Sequence, residues 1–232
     1  MQTRSSLALD QLHLPYQGRP TKRKDSTERR NAILNAALTV MVRDGIREVR
    51  HRSVAKEAGV PLSATTYYFD TIECLIHDAF VHFTEKNASH VQLLERSAWI
   101  ALEEFNRHGD KRKLKQDLLR FLVSHIENQV QDKDARILEW SFRQEALRNP
   151  KLTELYQQPQ VMMTRAIQHF FAGLGKEQAI ERAQILLGTL YHLEYQLLSS
   201  PSSTMQIDQV KSVLNTLLEG PLFGLTSGGI DR

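Results

Sequence analysis

Apolar residues recur along most of the chain at three- and four-residue steps, and no stretch alternates as a strand would, so the pattern predicts an all-α protein. In the first helix, from about Ser26 to Asp44, Ile33, Ala36, Ala37, Val40 and Met41 make one apolar stripe. Ser26 or Thr27 can cap its start and Gly45 can end it. Short helices follow at about His51–Ala58 and Leu62–Phe69, and a fourth starts near Thr71, where Asp70 and Glu73 have the spacing of a capping box. Residues 84–110 read as one long helix or two shorter ones. Later helices are expected at about Lys113–Gln131, Asp134–Arg148, Lys151–Ala172, Lys176–Ser199 and Met205–Glu219, separated by breaks rich in Gly, Pro, Asn or Ser.

The last two helices carry the strongest apolar faces. The penultimate one is apolar on more than one side, so it is expected to be buried on more than one side. Two adjacent amphipathic helices can pair with their copies as a four-helix dimer interface, or can form the core of a bundle within one chain. Periodicity does not separate the two. The candidate interface residues are Ile180, Leu187, Tyr191, Ile207, Val210, Leu214 and Leu217.

Charge divides the chain unevenly. Residues 1–76 hold 12 Lys and Arg against 8 Asp and Glu, whereas residues 77–232 hold 18 against 19, so the small positive excess sits at the N-terminal end and suits a negatively charged partner. Residues 1–25 read as a flexible arm. Met1–Tyr16 is taken as a solvated tail, and Arg19, Lys22, Arg23 and Lys24 as a basic segment that reaches a DNA groove or backbone. The single cysteine, Cys74, and the scattered histidines offer no metal-ligand spacing. No apolar stretch approaches the ~20 residues that span a bilayer, and the N-terminus lacks the apolar core of a secretory signal, so the cytoplasm is the default location.

The most informative segment is Arg50–Leu75, RHRSVAKEAGVPLSATTYYFDTIECL. It reads as two short helices joined by a tight turn. Val54, Ala55 and Ala58 line the inner face of the first, Gly59 stops it, Val60 fills the gap, and Thr65, Tyr68 and Phe69 turn inward. The outward face of the second helix is Leu62, Ser63, Ala64, Thr66 and Tyr67, with no acidic residue before Asp70. A groove-facing surface must avoid negative charge near phosphate. Arg50, His51 and Arg52 open the preceding helix, where positive side chains and free N–H groups can hold phosphate. Tyr67 is the leading DNA-contact candidate, with a place in the core as the alternative.

A first helix ending at Gly45, then VAKEAGV, then ATTYYF and a new helix with Leu75 resembles the DNA-binding domain of the TetR family over about residues 27–76. The resemblance implies a helix-turn-helix domain at 26–76, a helical ligand-binding and dimerisation domain at 77–232, and a homodimer that reads a palindromic operator. It also implies that Arg52, Ser63, Ala64, Thr66 and Tyr67 fall on DNA-contacting positions. The family usually has Tyr where this chain has Thr66, and often a phosphate-binding Lys where it has Ile72, so that role is not carried to Ile72.

The same resemblance implies a repressor released by a small molecule, with Trp140, Arg143, Met163, His169, Tyr191 and Tyr195 as candidate ligand contacts. Aromatics and methionines at such spacing are more often plain core, and His169 and His192 more often structural histidines. The alternatives are a regulator that needs no small ligand and a helical protein-binding adaptor. No nucleophile elbow, phosphate loop, dinucleotide glycine pattern or zinc-protease motif is present, so neither an enzyme nor a cofactor is expected.

Overall fold

The computed structural model describes residues 14–199 and 207–220, apart from the side chains of Ser89, His90, Val91 and Leu94. The expectations for residues 1–13, the break at 200–203 and the start of the last helix at Met205 lie outside this range. Among the described residues there are nine α-helices, one 3₁₀ turn and no strand. They are α1 (Lys24–Asp44), a turn at Ile46–Glu48, α2 (His51–Glu57), α3 (Leu62–Tyr68), α4 (Ile72–His108), α5 (Lys111–Gln131), α6 (Lys133–Ala146), α7 (Pro150–Gly173), α8 (Ala179–Ser199) and α9 (Ile207–Glu219).

Several boundaries differ from the sequence reading. The first helix begins at Lys24 rather than Ser26, with Arg23 at its N-cap and no side-chain cap; the hydroxyl of Thr27 instead donates to the Arg23 carbonyl at 3.2 Å. The expected Asp70–Glu73 box is replaced by the Thr71 hydroxyl, which accepts from the Cys74 N–H at 3.1 Å. Residues 84–108 continue α4 as a single helix of 37 residues. The penultimate helix starts at Ala179 rather than Lys176.

The chain forms two compact units, and they do not divide at residue 77. One holds α1 to α3 and the first part of α4, together with α6 and the start of α7. The reason is packing. Phe142 of α6 is fully buried, 4.9 Å edge-on from Phe80 of α4, and Leu138, Leu152 and Leu155 join the core built on Ile33, Leu34, Met41, Val54 and Phe69. An ion pair of 3.1 Å from Arg47 to Glu145 ties the 3₁₀ turn to α6.

The second unit takes the rest of α4 and α7 with α5, α8 and α9. Its core is Leu102, Leu114, Leu118, Ile126, Phe170, Phe171, Leu186, Leu190, Leu193, Val210, Leu214 and Leu218. Asp110 caps α5 by accepting from the Lys113 N–H at 2.9 Å, and Lys115 pairs with Glu219 of α9. Among the described residues, no helix is long and apolar enough to cross a membrane, and no group of three potential metal ligands converges.

Candidate nucleic-acid interface

α2 and α3 form the expected helix-turn-helix. Ala55 is buried and small, and its carbonyl accepts from the Val60 N–H at 3.0 Å, closing the turn. Gly59 holds φ at +64°, a left-handed conformation that strains other residues. Thr65, Tyr68 and Phe69 are buried, and the Tyr68 hydroxyl lies 3.0 Å from that of Ser26 on α1. With Thr65 and Tyr68 buried, the opposite face of α3 is left outward.

That face carries Leu62, Ser63, Thr66 and Tyr67, all exposed, with no acidic side chain in the helix. Tyr67 is 55% exposed, so the core alternative is excluded. The Thr66 hydroxyl donates to the Ser63 carbonyl at 3.3 Å, which leaves an oxygen lone pair outward. Ala64 departs from the expectation. It is half-buried and packs against the core, so less of it is presented outward.

The basic residues flanking α3 divide into distinct roles. Arg52, Lys22 and Arg23 are exposed. Lys24 is also exposed, but it belongs to α1 and lies 3.9 Å from Glu28. The Arg50 guanidinium donates to the carbonyls of Arg47 and Val49 at 2.6 and 2.8 Å, so it braces the preceding turn. The surroundings of His51 favour a neutral ring over a cationic phosphate contact. Both ring nitrogens are sealed from solvent without a hydrogen-bond partner, and burial pushes the pKa down, which favours the neutral ring.

The arm before α1 is not a free tail over its described part. Leu14 is buried. The Gln17 and Gly18 N–H groups donate to the two Asp78 carboxylate oxygens at 2.7 and 2.9 Å, and the Arg30 guanidinium donates to the same carboxylate at 3.2 Å. Asp78 is inaccessible and Arg30 nearly so. His77 Nδ1 also lies 3.0 Å from Asp78. Burial alone would raise the Asp78 pKa, but these hydrogen bonds outweigh it and hold the carboxyl below the usual range. The Tyr16 ring stacks on Arg30 at 3.9 Å and its hydroxyl donates to Glu85 at 2.5 Å. The Arg19 N–H donates to the Tyr68 carbonyl at 2.8 Å, and its guanidinium lies 4.2 Å over the Tyr67 ring.

The sequence reading missed this anchoring. Its one signal was Asp78, a charge three residues from Leu75 and adjacent to Ala79 on the apolar side of α4. A charge on a buried stripe needs partners.

The six candidate ligand contacts fall in different units: Trp140 and Arg143 in that of α1 to α3, and Met163, His169, Tyr191 and Tyr195 in the other. Arg143, His169 and Tyr195 are exposed, while Trp140, Met163 and Tyr191 are half-buried. None lines the cavity of about 670 Å³ between α8 and α9, whose walls include Gln178, Arg182, Ile185, Thr189, Val213, Thr216 and Leu217.

The interface residues need revision as well. Val210 and Leu214 are fully buried within their own unit, so they cannot present a face to a copy. Ile207, Leu217, Leu187 and Tyr191 are half-buried. The apolar residues left outward on α8 and α9 are Ile180, Ile185, Tyr195 and Val213.

No protein-family model matches the chain, and no curated protein does. Solved structures do match it. A TetR-family member from Streptomyces coelicolor A3 is 25% identical, with a TM-score of 0.52 over 82% of this chain and 98% of that one. A transcriptional regulator from Saccharomonospora viridis, solved in complex with choline, is 21% identical, with a TM-score of 0.60 over 84% and 97%. FadR, a transcriptional regulator from Bacillus subtilis solved in complex with stearoyl-CoA, is 18% identical, with a TM-score of 0.59 over 81% and 96%. The chain therefore has a TetR-like fold, an N-terminal helix-turn-helix followed by further helices. Its structural neighbours across most of its length include TetR-family members and other transcriptional regulators.

Proposed function

We propose that this protein is a sequence-specific DNA-binding transcriptional regulator that acts as a homodimer on a palindromic operator and responds to a small molecule. The observation that carries the DNA-binding half is the acid-free, exposed face of α3, flanked by Arg52 and by the basic arm Arg19, Lys22 and Arg23. Such a face suits a major groove, with the exposed cations on neighbouring phosphates. A protein-binding adaptor has no use for that arrangement.

One helix-turn-helix reads half a site, so a dimer is the natural functional unit. The exposed apolar residues Ile185 and Val213 border the groove between α8 and α9 and are the proposed self-association surface. The small-molecule half rests on relatives of this fold solved with choline and with stearoyl-CoA, two ligands of unlike chemistry. Half-buried Trp140, Met163 and Tyr191 are the first residues to probe for an effector. An effector would act by favouring the conformation that does not fit DNA, and the resemblance to the TetR family supports reading the protein as a repressor.

The test is binding to the DNA directly upstream of its own gene, against scrambled DNA of equal length, at two salt concentrations. Preference for the upstream fragment at the higher salt is the expected result. Equal, weak binding to both fragments would contradict a site-specific regulator. Within that assay, Arg52→Ala is expected to weaken binding to every duplex alike and to reduce the salt slope by about one unit, as loss of one phosphate contact does. An unchanged slope removes Arg52 from the phosphate contacts. Tyr67→Ala is expected to weaken binding about tenfold while the melting temperature stays put, since the side chain is mostly exposed. A large thermal loss would instead give Tyr67 a structural role.

A further inference from the structure

Four independent features hold residues 14–19 in place. Leu14 is buried, Tyr16 stacks on Arg30, two successive N–H groups grip the Asp78 carboxylate, and the Arg19 N–H donates to the end of α3. The fit at Gly18 is close. A Cβ there would come within 2.8 Å of the Asp78 carboxylate and 2.9 Å of the Phe69 ring, both in the core. Only glycine lets the backbone lie this near the acid.

The consequence falls on Arg19. It follows the two gripped amides directly, and it is the residue whose guanidinium covers one face of Tyr67. Tyr67 is therefore not an isolated ring on α3. One face is taken by a cation and the ring meets Tyr68 edge to face at 5.0 Å, yet the side chain stays more than half exposed beside that charge.

We propose that Asp78 is a positioning residue for DNA binding, and that through Gln17 and Gly18 it fixes Arg19 on Tyr67 so that the two contact DNA as one unit. Asp78 touches no DNA itself. It sets the register of the arm, and the arm delivers a positive charge to the reading face of α3. This rests on the DNA-binding reading above.

The experiment is a double-mutant cycle on duplex binding, with wild type, Gly18→Ala, Arg19→Ala and the double variant, using the upstream fragment. Each single variant is expected to lose about tenfold in affinity, the scale of one arginine contact. The double variant should bind no worse than Arg19→Ala alone, because the anchor acts through Arg19, while Lys22 and Arg23 are held beside α1 by the Thr21–Thr27 hydroxyl contact of 2.8 Å and the N-cap position of Arg23. Gly18→Ala binding as tightly as wild type, or losing the same factor with and without Arg19, overturns the proposal.

Gln17→Pro covers the case in which Gly18→Ala fails to fold. It removes one N–H donor to Asp78 without pressing on Phe69, and the same coupling to Arg19→Ala is expected. Amide hydrogen exchange gives a readout without DNA. The Gly18 and Arg19 amides should exchange slowly in the wild type and fast in Gly18→Ala; fast exchange in the wild type would mean that no anchor exists. A wild type that binds no duplex overturns the regulator reading and this one together. A wild type that binds, with additive single losses, overturns this one alone.

Discussion

Asp78→Ala is expected to cost about 3–5 kcal/mol of stability, the usual result of removing one partner from a buried ion pair. Arg30 would keep its charge while buried, and the Gln17 and Gly18 N–H groups would lose their acceptor. Against a typical total of about 5–15 kcal/mol, that is a large share. Differential scanning calorimetry should show a drop of about 10 °C, and a wild-type melting temperature would contradict the pairing described. The pH dependence has a definite sign. The Asp78 carboxyl titrates below an unfolded aspartate, so its contribution is complete above the unfolded pKa and is lost as pH falls through the folded one. Asp78→Asn should therefore flatten the acid limb of the stability curve. An unchanged acid limb would count against the ion.

Ile185→Glu combined with Val213→Glu is expected to split the dimer and reduce operator affinity by at least about 10³-fold, to the level of non-specific binding. Two carboxylates on each copy would face two on the other across a desolvated surface, a repulsion that a closed two-fold contact repeats. Both side chains are about half exposed, so the fold of each chain should survive. Sedimentation velocity gives the mass, and the binding assay gives the consequence. A dimer that persists with full affinity places the interface elsewhere. Changing Val210 or Leu214 would not test the same idea, because both are fully buried and their loss unfolds the unit instead.

The helix-turn-helix was legible because its signals are local. Gly59 between two short apolar stripes, Tyr68 and Phe69 at core spacing, and an acid-free run between Leu62 and Phe69 each follow from a handful of adjacent residues. The docked arm was not legible in the same way. Its partners are about fifty to sixty residues apart, and three of its contacts use backbone N–H groups, which leave no mark on side-chain pattern. His51 shows a related gap. Its type and position suggested a cation at a helix start, but its pKa depends on the enclosure of its ring, and that depends on neighbours from elsewhere in the chain.

The C-terminal helices mark the division most clearly. Apolar steps along residues 176–219 required buried helices, because a 3.6-residue period with apolar side chains forces a face out of water whatever lies against it. Whether that partner is the same chain or a second one is a matter of three-dimensional packing. Val210 and Leu214 share their stripe with Leu217, yet only the first two are sealed at 0% exposure, while Val213 one step around the helix stays open. Periodicity specifies that a face must be covered; the packed neighbours of α5 and α8 decide which residues they cover and which remain for another surface.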